Sequence, residues 1–90
     1  MTAKYLFTPA IMEMSNDEGE GEKAVYTAIR RFSRGDWGKI PQCDKEANDR
    51  DLKAGSGRIV ARYDSPKGDI YIISYPGTDQ PPTVLFCREY

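Results

Sequence analysis

Gly35-Asp36-Trp37-Gly38 is the stretch on which the fold turns. Two glycines bracket a carboxylate and the only tryptophan of the chain. Glycine tolerates positive φ, so Gly35 reads as the left-handed residue that stops a helix. Upstream, Val25, Ala28, Ile29 and Phe32 recur at i, i+3, i+4 and i+7, an apolar stripe that predicts a helix over 22–34. Glu20 and Glu22 lie near its start and Arg30, Arg31 and Arg34 near its end, the sign order that the helix dipole favours. Trp37 is then expected to fold back as a plug between a helical half and a strand-rich half.

Working towards the N-terminus, residues 15–21 are acidic and carry two glycines, which reads as a mobile loop. Before it, Thr8-Pro9 fits an N-cap followed by proline at the first helical position, opening a short helix over 9–14. Residues 4–8 are short and aromatic and read as a first strand.

On the other side of the tryptophan, Pro41 breaks the chain and residues 43–54 form a polar segment ending at Gly55. A surface helix is expected there, with Ala47 and Leu52 as its main apolar residues. The period then changes. Residues 58–63 alternate, with Ile59, Ala61 and Tyr63 on one side. Ser65-Pro66-Lys67-Gly68 is turn chemistry. Residues 69–75 are apolar on both faces, as expected of a central strand. A proline-rich loop precedes a last strand over 83–88. The reading is one α+β domain over residues 1–90: an N-terminal strand, two to three helices, then a three-stranded antiparallel meander forming one sheet.

Composition limits the chemistry. Ninety residues bury roughly 60–65% of the surface the unfolded chain exposes, so the core is modest. Histidine is absent, which removes Ser-His-Asp and Cys-His constellations. Cys43 and Cys87 are far apart and form no CxxC pair. There is no apolar run of membrane-spanning length and no charged-then-apolar leader, so a cytoplasmic protein with reduced thiols is expected, without membrane contact. The net charge of −1, from 13 basic and 14 acidic residues, argues against an overall grip on a polyanion.

Asp44-x-Glu46-x-Asn48 starts like a calcium loop, but its sixth position is Asp49 instead of glycine and its twelfth is Gly55 instead of glutamate. On a helix Asp44, Asn48 and Asp51 share a face, where a solvated carboxylate pair has no burial to raise a pKa. Gly55-Ser56-Gly57 leads into a strand, whereas phosphate loops lead into a helix. No motif implies a metal or cofactor. The candidate binding residues are Arg30, Arg31 and Arg34 at the helix end, and Arg58, Arg62, Arg88 and Tyr90 in the strand region. Arg58, Arg62 and Tyr71 can share the outer sheet face, where Arg and Tyr suit either base stacking or an exposed sheet surface.

From Gly35 onward, the chain resembles a family of small, functionally unassigned open reading frames of bacterial plasmids, conjugative elements and phages, often labelled plasmid-related proteins. The matching pieces are Gly35-Asp36-Trp37-Gly38, Ala47-Asn48-Asp49, Gly57-Arg58-Ile59 with Tyr63, Ile72-Ile73 and Glu89-Tyr90. Departures are Pro76-Gly77-Thr78-Asp79 and Cys87-Arg88. The resemblance implies a bacterial mobile-element gene and brings no catalytic residues. The element order is also similar to that of RelE-type ribonuclease toxins, which are usually basic.

Two functions compete. The leading expectation is a non-enzymatic domain that binds a protein of the host or element, an anti-defence inhibitor being one specific form. The alternative is a toxin-like ribonuclease acting through Arg62, Arg88 and Tyr90. Nucleic acid is the less favoured partner, because Arg58, Arg62, Lys67 and Arg88 are balanced by Asp64, Asp69, Asp79 and Glu89. A phenol of ordinary pKa, about 10, is also a poor base near neutral pH.

Overall fold

A computed structural model of the chain describes residues 4–17 and 19–90. The elements run β1 (Leu6–Phe7), α1 (Pro9–Ser15), α2 (Glu20–Ser33), α3 (Gln42–Ala54), β2 (Ile59–Tyr63), β3 (Ile70–Ser74), β4 (Thr83–Phe86) and a 3₁₀ turn over Cys87–Glu89. The protein is α+β, as the change of period requires. The meander is present, with β3 between antiparallel neighbours β2 and β4. The sheet has four strands and not three, because β1 joins it in parallel beside β4, giving the order β1-β4-β3-β2.

Helix α2 ends as its sequence indicates. Gly35 has φ +77°, its N–H donates to Phe32 O at 3.0 Å, and Asp36 N–H donates to Arg31 O at 2.9 Å. These two bonds form a Schellman motif, which satisfies the last helical carbonyls. Its start differs from the expected position. Of the acidic stretch 15–21, Ser15 still belongs to α1, Glu20 and Gly21 already belong to α2, and Glu18 lies outside the described residues. Two glutamates in the first turn complement the positive end of the helix, which lets it begin earlier than the apolar stripe.

The core lies between the helices and one face of the sheet. Ile11 and Met14 of α1 and Val25 and Ala28 of α2 pack against Ile59, Ala61, Tyr63, Ile70, Ile72, Val84 and Phe86. Trp37 is 4% exposed within this cluster. Its ring stands edge-on to Phe32 at 5.3 Å, and Phe32 in turn meets Tyr5 at 6.4 Å. The tryptophan is therefore the plug that the glycine bracket suggests.

Strand β4 is shorter than the 83–88 expected. The Glu89 carboxylate accepts from Phe86 N–H at 2.8 Å and from the Thr8 hydroxyl at 2.9 Å. That reach-back bends Cys87–Glu89 into a turn and ties it to the N-cap of α1.

Helix α3 departs most from expectation. Leu52 is 54% exposed and anchors nothing, while Asn48 is 5% exposed. The helix docks through polar side chains along the free edge of β2. Asn48 Nδ2 donates to Val60 O at 3.0 Å, and Val60 N–H donates to Asn48 Oδ1 at 3.4 Å. One turn on, Asp51 accepts from Arg58 N–H. Trp37-Gly38-Lys39 completes the edge: Arg62 N–H donates to Trp37 O at 3.1 Å, and Lys39 N–H donates to Arg62 O at 2.9 Å. An edge strand leaves a row of unpaired backbone groups, and here side chains and a single bridge satisfy them at Arg58, Val60 and Arg62.

Candidate functional site

Pairing register decides which side chains share the outer face of the sheet. Leu6, Thr83, Ile73 and Val60 are in line across the strands, and Leu85, Tyr71 and Arg62 form the next row. Helices α1 and α2 lie against the opposite, core-facing side. Helix α3 borders the outer face along β2, and the C-terminal turn brings Tyr90 over Tyr71, with ring centroids 5.6 Å apart and planes at 79°. Between them lies a concave groove of about 430 Å³. Ile40 and Pro41 before α3 and Asp44 and Ala47 on it line the groove, together with Arg58, Arg62, Tyr71 and Tyr90 from the sheet side and Lys39.

Charge within the groove is largely spent internally. Arg62 grips Asp69 through two nitrogens, Nε at 2.9 Å and Nη2 at 2.7 Å. Lys39 Nζ contacts the same carboxylate at 2.9 Å and also pairs with Asp64. Bonds from Lys39 and Arg62 hold the Asp69 carboxyl below the usual carboxylate range. The same pairs raise the pKa of Lys39, through Asp64 and then Asp69, and that of Arg62, through Asp69. Arg58 differs: its Nη1 donates to the Tyr90 hydroxyl at 2.6 Å, and its guanidinium carbon lies 6.0 Å from that ring's centroid. Among the described residues it makes no carboxylate pair.

The expected binding residues divide into three groups. Arg58, Arg62, Tyr71 and Tyr90 do meet on the outer face. Arg88 does not join them: its guanidinium covers the Phe86 ring at 4.1 Å and donates to Lys67 O. Arg30, Arg31 and Arg34 belong to the end of α2. Arg30 lies over the Tyr26 ring, and Arg31 is locked bidentately on Asp36 and lies over Tyr63. Arg34 is the C-cap residue of that helix.

The Gly35-Asp36-Trp37-Gly38 bracket is structural throughout. Asp36 is held low in pKa by Arg31, accepts Gly38 N–H at 3.1 Å, and lends its backbone carbonyl to the Tyr63 hydroxyl at 2.7 Å. Burial raises the Tyr63 phenol above its ordinary value. Trp37 Nε1–H donates to Asp49 Oδ1 at 2.8 Å. Residues 44–54 are helical, so the calcium-like spacing is a turn-by-turn ladder on α3 and not a loop. Among the described residues no group of three or more acidic or cysteine side chains is placed to hold a metal.

Sequence reasoning missed Lys39 as a lining residue of the groove and Asp69 as the carboxylate that pairs two of its cations. The available signal was the tight turn over 65–68, which brings Asp69 back beside Arg62 once the hairpin register is set. Cys87 lies half-buried nearby, and burial pushes its thiol pKa up, the reverse of an activated nucleophile. No helix among the described residues is long and apolar enough to cross a membrane. Comparison with protein-family models, with characterised proteins and with solved structures returns no match.

Proposed function

We propose that this chain is a small non-enzymatic protein-binding domain of a bacterial mobile element, working in the cytoplasm, and that the outer sheet groove is its contact surface. One observation carries the reading: Tyr71, Tyr90 and Arg58 are presented together, while Lys39 and Arg62 are neutralised by Asp64 and Asp69. Tyrosine and arginine dominate the anchors of protein interfaces. A nucleic-acid groove needs cations left over for phosphates, and an ion-paired guanidinium must first surrender its carboxylate. Inhibition of a host defence machine is one specific form such binding can take.

The meeting of Arg58, Arg62, Tyr71 and Tyr90 on one sheet face also supports a second reading, a ribonuclease-like contact with RNA. A photo-crosslinking amino acid at position 90, with position 26 as a control on the exposed side of α2, separates the two. Protein binding requires adducts from position 90 that resist ribonuclease and are lost to protease. Adducts with the opposite sensitivity favour RNA and defeat the proposal.

A further inference from the structure

The groove also constrains what part of a partner it takes, an inference that rests on the protein-binding reading above. Three cations line it, but two are committed: Arg62 to Asp69, and Lys39 to Asp69 and Asp64. Arg58 spends one N–H on the Tyr90 hydroxyl, and among the described residues the rest of its guanidinium fork makes no carboxylate pair. Tyr90 therefore acts as a brace for the cation, and its ring is itself braced edge-on by Tyr71. A planar, braced guanidinium is suited to one carboxylate taken bidentately.

The surroundings limit the ligand to a single negative charge beside an apolar group. Lys39 and Arg62 are already matched by Asp64 and Asp69, and Asp44 lines the same groove, so a second anionic group finds no free cation and meets one carboxylate where it leaves Arg58. Ile40, Pro41 and Ala47 add apolar lining alongside Asp44. We infer that the groove binds a peptide segment of the partner in which one Asp or Glu lies next to an apolar residue, the carboxylate on Arg58 and the apolar side chain between Tyr71 and the Ile40–Pro41 pair.

Selection of phage-displayed random peptides on the intact protein tests this, followed by calorimetric titration of the enriched sequences. The enriched peptides are expected to share one acidic residue beside an apolar one. Arg58→Ala should weaken them roughly tenfold or more, and Arg58→Lys should recover only part of the loss because the fork is gone. Replacing the peptide's Glu by Gln should cost the wild type as much and cost R58A nothing further, the signature of a direct pair. An unchanged near-UV spectrum separates this from unfolding. Peptides that bind the groove without an acid, or that inorganic phosphate displaces, overturn the carboxylate inference and leave protein binding standing. A selection that yields no groove-binding peptide overturns the peptide inference, and protein binding is then decided by the crosslinks at position 90.

Discussion

At Gly38 the backbone has no room for a side chain. Its φ is +81°, and a Cβ there would stand 1.9 Å from Arg62 O, inside the bridge that closes the β2 edge. At Gly35 φ is +77°, yet no described residue lies within 4 Å of the same added atom. Gly35→Ala is therefore expected to cost only the left-handed penalty of roughly 1–2 kcal/mol. Gly38→Ala adds a backbone collision and should cost clearly more; chemical denaturation of the two variants side by side checks the order. Trp37→Ala is expected to cost roughly 3–5 kcal/mol, as for other buried aromatic truncations, enough to unfold much of a domain this small. Blue-shifted, quencher-protected tryptophan emission in the wild type is the matching spectroscopic result. The glycine bracket and the tryptophan were legible from the chain because φ and bulk are properties of single residues. Asp49 was not: a carboxylate on a polar helix looks solvated until the fold brings an indole N–H to it.

The same difficulty recurs in helix α3. Hydrophobic periodicity finds helices that dock through an apolar stripe, and α3 docks through Asn48, Asp49 and Asp51. Its existence was legible from Gln42–Ala54 and its stop at Gly55; its placement against the β2 edge was not. Asn48→Ala removes both bonds to Val60 and leaves partly buried backbone groups unpaired, at an expected cost of about 1–3 kcal/mol. Hydrogen exchange should show faster loss of protection at Val60 and Arg58, whose N–H groups α3 holds, than at β3. An unchanged exchange rate would mean that α3 does not seal that edge. The meander itself was legible because alternation fixes register, whereas β1 joined the sheet through only two residues, too few to carry a pattern.

At the scale of the molecule, ion pairs tie turns to their own elements and, through Lys39, join segments distant in sequence. Lys39 and Arg62 converge on Asp69, and Arg31 holds Asp36. Both carboxyls titrate below their ordinary value in the folded chain. The unfolded state therefore binds their protons more readily, so this contribution to stability is full above the ordinary carboxylate pKa of about 4 and fades as pH falls through the lower folded values. Asp69→Asn should flatten the acid limb of the stability–pH curve while leaving the neutral region less affected in slope; melting temperature followed from pH 7 down to about 2 tests it.

These pairs also bear on function, since a groove in which two of three lining cations are already matched offers little to a polyanion. The most direct measurement is fluorescence anisotropy of a labelled single-stranded RNA titrated with the intact protein at about 50 mM and about 200 mM salt. If the outer face meets protein, binding is absent or weak at both, and Arg58→Ala and Arg62→Ala change nothing. Tight binding that falls steeply with salt, and that either substitution abolishes, would contradict the protein-binding assignment and make the sheet face an RNA site.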